Sequence, residues 1–208
     1  MGSEHDGSAG TPGPAGAVAT QIEGFRYEPD VITESEERAL LGAIERVELR
    51  PFVFRGVQAR RRVAAFGFGY SFDRRSLTDA PPLPDFLLPL AERVAGLAGV
   101  TPDALTEALI TEYPVGAGIG WHRDAPPFDV IVGISLLSAC TFRLRPYASH
   151  DIPRRGLPRP LSLTLAPRSA YVLAGPARTE WEHSIPEAIT RRYSITFRTL
   201  RRGRPRRW

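Results

Sequence analysis

The segment Trp121-His-Arg-Asp124 offers an imidazole and a carboxylate two residues apart, just ahead of the apolar run 130–137. On an extended backbone residues i and i+2 project to the same side, so His122 and Asp124 can close on one metal ion from a strand end and its turn. A third ligand must come from far along the chain. The histidines downstream are His150 and His183, and His183, in Glu-Trp-Glu-His-Ser-Ile-Pro, stands just before another strand-like segment. Two histidines and one carboxylate leave three positions open on an octahedral ion, the ligand set of non-haem Fe(II) oxygenases. A lone His-x-Asp pair arises by chance in many chains. The same letters also spell the kinase catalytic loop, but neither the following Asn at the needed spacing nor a later Asp-Phe-Gly is there.

The last strand-like segment strengthens the metal reading. Residues 190–200 read Thr-Arg-Arg-Tyr-Ser-Ile-Thr-Phe-Arg-Thr-Leu, with Tyr193, Ile195 and Phe197 on one face and Arg192, Ser194, Thr196 and Arg198 on the other. Such alternation is the mark of a strand. Its plainest form is an edge strand with a solvated basic face. The two arginines, however, stand roughly 20 Å apart along an extended backbone. If each guanidinium reaches inward by about 6 Å, the gap that remains suits a five-carbon dicarboxylate held at both ends.

Tyr113, His122-Arg-Asp124, His183 and Arg192-Tyr-Ser-Ile-Thr-Phe-Arg198, in that order, resemble the AlkB family of Fe(II) and 2-oxoglutarate-dependent dioxygenases, over about residues 28–200. The resemblance implies an α+β fold: a double-stranded β-helix, or jelly roll, over about 105–200, with N-terminal flanking helices and a substrate lid over about 52–73. It implies that His122, Asp124 and His183 hold Fe(II), that Arg198 meets the C1 carboxylate of 2-oxoglutarate, and that Arg192 and Tyr113 take the C5 carboxylate. Ser194 and Thr111 stand where the family often has Asn and would assist. With O2 the implied reaction yields succinate, CO2 and a hydroxylated carbon, and an N-methyl group so hydroxylated sheds formaldehyde. Pro126 occupies a place where some relatives have an acid that reads the base, and Asp129 would substitute for it.

Composition bounds the rest. At 208 residues, with 42% hydrophobic and 24% charged, the chain fits one soluble domain spanning 21–200 with a substantial core. No run reaches the length of a membrane span, and no membrane partner is expected. The start, Met-Gly-Ser-Glu-His-Asp, lacks the basic region and apolar stretch of a signal peptide, so the chain reads as cytoplasmic. The single cysteine, Cys140, excludes an internal disulfide and reads as an inert thiol. A net charge of +4 and a pI near 9.7 favour an anionic partner such as single-stranded DNA or RNA, bound by a monomer.

Residues 1–20 read as a disordered leader. Thr33 or Ser35 can cap a helix carrying Leu40, Leu41, Ile44 and Val47 as its apolar stripe. Residues 60–72 run from three arginines into aromatics at Phe66, Phe68, Tyr70 and Phe72, which predicts one strand with an aromatic face. Most such stripes are core. In a lid, Arg61 and Arg62 would meet phosphates while Phe66 or Tyr70 stacks on an extruded base. The run Arg61-Arg62-Val63 with Phe66-Gly67 resembles the branch of the family that includes tRNA-modifying members. Phe86 to Leu97 has helical spacing with Pro89 in the first turn. Strands are expected at 105–113, 130–137, 141–145, 161–165 and 170–173. Trp121, beside a ligand, either shapes the pocket mouth or packs. The Pro- and Arg-rich loop 147–160 is expected to be exposed, and the tail 201–208 is expected to be a basic arm. Two further readings are a protein hydroxylase or demethylase of the same chemistry and a non-catalytic nucleic-acid-binding module.

Overall fold

A computed structural model describes residues 21–54, 56–147 and 159–201. The leader 1–20, His150 with most of its loop, and the tail beyond Arg201 lie outside the described residues.

The chain begins with β1 (Phe25–Glu28) and α1 (Glu34–Ile44). Thr33 is the residue that caps α1. Its hydroxyl accepts from Glu36 N–H at 3.2 Å while the Glu36 carboxylate accepts from Thr33 N–H at 2.7 Å, a reciprocal pair that satisfies two free donors at the helix start. Then come β2 (Arg50–Phe54), β3 (Val57–Phe66), β4 (Phe68–Ser71) and β5 (Ser76–Asp79). A short 3₁₀ turn leads into α2 (Leu88–Ala98), with Pro89 in its first turn, where no N–H partner is lost. Arg93 on α2 reaches Glu36 on α1 at 2.6 Å and ties the two helices together.

Eight strands follow: β6 (Leu105–Tyr113), β7 (Ile119–His122), β8 (Phe128–Leu136), β9 (Cys140–Pro146), β10 (Leu161–Leu165), β11 (Ala170–Leu173), β12 (Trp181–Ile185) and β13 (Arg192–Leu200). A five-residue helix, α3 (Gly175–Thr179), lies between β11 and β12. The larger sheet has the order β1-β11-β8-β13-β6-β3-β2 and the smaller β10-β9-β12-β7, with β4 and β5 forming a separate hairpin. Every described pairing is antiparallel. Strands β6 to β13 thus divide four and four between two facing sheets, which is the expected jelly roll.

Strand β13 occupies the middle of the larger sheet rather than an edge, paired along its length to β6 and β8. Its alternation separates two cores. Tyr193, Ile195 and Phe197 face α1 and α2 and pack with Leu87, Val94, Ile110 and Ile134. Arg192, Ser194, Thr196 and Arg198 face the smaller sheet, where Phe142, Leu144, Leu163 and Leu165 form the core between the sheets. A slip of one residue in register would bury two arginines under the helices.

The aromatic run differs from expectation. It is broken at Gly67, whose φ is 77° and whose position would put a Cβ 2.0 Å from Thr106 O, so no other residue fits there. The chain therefore leaves the large sheet after Phe66 and re-pairs as the β4–β5 hairpin. Phe66 turns to the helix-side core, whereas Tyr70 packs against the core between the sheets. The two rings that the sequence suggested share one face belong to different layers.

Candidate metal centre

On β7 and β12, His122 and His183 are direct cross-strand partners, with ring centroids 4.2 Å apart. Asp124, two residues past His122, folds in beneath them, with Oδ2 3.6 Å from His183 Nε2. One donor atom from each of the three lies within 4.8 Å of the others. His122 Nδ1 is 2.9 Å from Gly120 O, which orients the ring and leaves Nε2 free to ligate. Asp124 Oδ2 is buried with no hydrogen-bond partner, an arrangement costly for a carboxylate unless a cation completes it. That orphaned oxygen, with two imidazoles beside it, fits a divalent transition metal.

Electrostatics favour the ligating forms of all three side chains. Burial, and then His122, press the His183 pKa down to about 3, and burial likewise lowers His122, so both rings are neutral at pH 7. Burial alone would raise Asp124, but Arg198, the two histidines and Arg178 together outweigh it and hold the carboxyl below the usual carboxylate range.

Arg198 donates through Nε to Asp124 Oδ1 at 2.8 Å and through Nη1 to both oxygens of Glu107 at 2.7 and 2.8 Å. It thereby braces Asp124 and is itself gripped from the other side by Glu107. Burial drives Glu107 up to about 7 against the pull of Arg198. Where the resemblance pairs Arg198 with the C1 carboxylate, these two nitrogens are thus already engaged by protein acids. Glu107 was missed in the sequence although it could have been found. Tyr113 faces Arg192 across the antiparallel β6–β13 pair, so the residue six positions before Tyr113 must face the residue six positions after Arg192. Arg178 was also missed. From α3 its buried Nη2 donates to the carbonyls of Asp124, Ala125 and Phe128 at 2.9–3.0 Å and fixes the loop that follows the ligand. A single arginine in a five-residue helix carries no pattern by which to find it.

Arg192 stands differently. It is 1% exposed and donates through Nη2 to Ser135 Oγ at 3.1 Å, and its guanidinium lies 4.7 Å from the centre of the Tyr113 ring. Its Nε and Nη1 are buried without partners, and no carboxylate pairs with it among the described residues. A buried cation with two unanswered donors fits an anion. Ser194 is opposite both Thr111 and Ser135, so the expected co-substrate residues Tyr113, Thr111, Arg192 and Ser194 line one patch of the inner face.

The expected substrate residues divide. Arg61 is half-buried, lies 3.9 Å over the Phe52 ring and is within electrostatic reach of His122. Phe72 contacts Phe52, Phe54 and Tyr70 edge-on at 5.0–6.0 Å, making an aromatic cluster beside Arg61. Three residues are corrected. Arg62 points to the opposite face of β3 and pairs with buried Glu112. Phe66 packs in the helix-side core, for the reason given at Gly67. Trp121 projects from the face of β7 opposite His122 and stacks under Arg145, which Glu182 holds at 3.1 Å. Asp129 is exposed, on the face opposite buried Phe128, and so does not replace the acid missing at Pro126.

Two histidines and a carboxylate, gathered between the sheets of a jelly roll with an arginine that has no carboxylate partner among the described residues, are the makings of an iron oxygenase that uses a keto-acid. The sequence profile of the 2OG-Fe(II) oxygenase superfamily matches residues 45–198, and the chain belongs to that superfamily as an Fe(II)/2-oxoglutarate-dependent dioxygenase. Within it the chain is AlkB-like. It is 30% identical over 213 residues to the "Alkylated DNA repair protein ALKBH8 homolog" of Arabidopsis thaliana, covering 86% of this chain and 59% of that protein. It is 26% identical over 176 residues to the human "DNA oxidative demethylase ALKBH2", covering 80% and 66%. The chain therefore spans about three-fifths to two-thirds of the length of these relatives. Among solved structures, OsALKBH1 superposes with a TM-score of 0.66 at 12% identity, covering 85% of this chain and 96% of that one. A Pseudomonas putida prolyl-4-hydroxylase superposes at 0.57 and 16%, covering 91% and 100%, and shares the fold.

Proposed function

We propose that this dioxygenase oxidatively demethylates or hydroxylates alkylated nucleic acid, in single-stranded DNA or in RNA. The observation that carries the reading is Arg61 lying over Phe52 within a half-exposed aromatic cluster, with its charge within electrostatic reach of His122. Aromatic faces stack on a base taken out of its strand, and an unpaired arginine beside them meets the flanking phosphate. The names of the relatives, a DNA repair protein and a DNA demethylase, agree with a nucleic-acid substrate.

His122, Asp124 and His183 would hold the iron, and Arg192 with Tyr113, Thr111 and Ser194 would hold the far carboxylate of 2-oxoglutarate. When bound, the metal and keto-acid supply O2-dependent hydroxylation of a C–H bond, coupled to formation of succinate and CO2. The chain's own work is positional. Arg198, braced from its other side by Glu107, holds Asp124 in its ligating form, Arg178 fixes the loop behind it, and the apolar residues between the sheets exclude water from the centre.

The test is mass spectrometry of methylated single-stranded DNA, tRNA and a methylated peptide after aerobic incubation with Fe(II) and 2-oxoglutarate. Loss of a methyl mass from an oligonucleotide, with formaldehyde and succinate formed in step, is the expected result. Turnover confined to the peptide would replace this reading with a protein demethylase.

A further inference from the structure

Tyr171, on β11, is not used in the reading above. Its ring crosses β8 at Gly133, its register partner: a Cβ built there would lie 2.3 Å from Tyr171 Cε1 and Cζ and 2.5 Å from the hydroxyl oxygen. Only a residue without a side chain lets the phenol lie flat on the strand. Gly133 is in turn opposite Thr196, which stands on the inner face of β13 between Ser194 and Arg198. The hydroxyl end of Tyr171 therefore rests on the floor of the slot between Arg192 and Arg198, two residues from Arg198 and four from Arg192 along β13. The ring is held there by stacking on Phe142 at 4.7 Å, and Phe142 lies 5.3 Å from the His183 ring.

No hydrogen bond is made to this hydroxyl among the described residues. Burial, and then the nearby Asp124 and Tyr113, push the phenol well above its ordinary pKa against the pull of Arg198 and Arg192, so it stays a donor. Arg198, at the metal end of the slot, has Nε and Nη1 committed to Asp124 and Glu107. That leaves Nη2 as the donor β13 can still offer the keto-acid end of a bound dicarboxylate, and the Tyr171 hydroxyl is placed to supply a second from β11.

We propose that Tyr171 is a co-substrate-binding residue: its hydroxyl, admitted to the slot by the missing side chain of Gly133, donates to the keto-acid end of 2-oxoglutarate. This rests on the reading that Arg192 receives the other end. A hydrogen bond to a charged group is worth enough to change affinity by roughly tenfold to a hundredfold.

The test is anaerobic calorimetric titration of 2-oxoglutarate into Mn(II)-loaded full-length protein, for the wild type, Tyr171→Phe and Arg192→Met. Mn(II) titration of each variant serves as the control for folding and metal affinity. The expected result is that Tyr171→Phe weakens 2-oxoglutarate at least about tenfold with Mn(II) affinity unchanged, and that Arg192→Met also loses it. If Arg192→Met loses affinity while Tyr171→Phe stays within twofold of wild type, the role of Tyr171 is overturned and the site reading stands. If Arg192→Met binds as wild type does, the site reading falls and takes this one with it. Gly133→Ala provides a second variant, because it lifts the ring and keeps the hydroxyl. Unchanged 2-oxoglutarate affinity in that variant also overturns the proposal.

Discussion

Replacing Arg192 by Met should make the metal-free protein more stable and its co-substrate binding far weaker. The side chain is 1% exposed, and among the described residues its Nε and Nη1 are buried without partners, Nη2 donates to Ser135 Oγ, and the Tyr113 ring is its neighbour. A buried charge without a counter-ion opposes folding, and its replacement by an apolar side chain of similar length is neutral or stabilising by about 1–4 kcal/mol. In a domain of this size that is an increase of several degrees in Tm. On the binding side, two charge-assisted hydrogen bonds at about 1.5–3 kcal/mol each would be lost. At about 1.4 kcal/mol per tenfold, the 2-oxoglutarate Kd should rise roughly a hundredfold to ten-thousandfold. Urea denaturation of the apoprotein measures the first effect, and anaerobic titration of 2-oxoglutarate into the Mn(II) form measures the second. A variant that is less stable by more than about 1 kcal/mol would show that Arg192 is a structural cation rather than an open anion receptor. So would a Kd within about threefold of wild type.

Other consequences follow from the same geometry. His183→Ala and His122→Ala should each abolish stoichiometric Mn(II) binding in a calorimetric titration, and retention of a tight site in either variant would mean that the ligand is misassigned. Glu107→Gln preserves shape and removes the charge that balances Arg198, so Arg198 should draw harder on Asp124 and weaken divalent-metal affinity by about ten- to a hundredfold, as read by competition with a metal indicator. Because the His183 pKa is lowered to about 3 in the folded state, the unfolded chain binds the extra proton first. Its contribution is fully present above about 6.5, the unfolded value, and is lost as pH falls toward 3. At about 1.4 kcal/mol per unit that amounts to a few kcal/mol, visible as a steeper loss of apoprotein stability between pH 7 and 5 than in His183→Gln. Equal slopes in the two proteins would refute it. Arg61→Ala should weaken single-stranded oligonucleotide binding and reduce its salt dependence by about one phosphate contact. Arg62→Ala should instead lower stability through Glu112 and leave the salt slope unchanged, and anisotropy titrations at several salt concentrations separate the two.

Much of the centre was legible in the chain because short-range rules governed it. The period of two puts His122 and Asp124 on one side, and on β13 it sends Arg192, Ser194, Thr196 and Arg198 one way and Tyr193, Ile195 and Phe197 the other. The strands 105–113, 161–165 and 170–173 end where their turn residues end them. What failed was inference across a break: the aromatic alternation through Gly67 looked continuous because a residue type shows that positive φ is permitted and does not show that it is used. Arg62 and Trp121 failed for a related reason, since adjacent strand residues point to opposite faces and only the pairing partner tells which face is the site.

From its sequence alone the chain determined the candidate ligand set, the inward row of arginines and the strand set that makes a jelly roll, because each depends on residue identity and a fixed backbone period. Only the tertiary structure decided which arginine is free. Arg192 and Arg198 are equal in the sequence, but β6 sets Glu107 against Arg198 and Tyr113 against Arg192. One guanidinium is thus consumed in bracing Asp124, a candidate metal ligand, and the other is left open to an anion. That distinction is made by strand register, which no local pattern encodes.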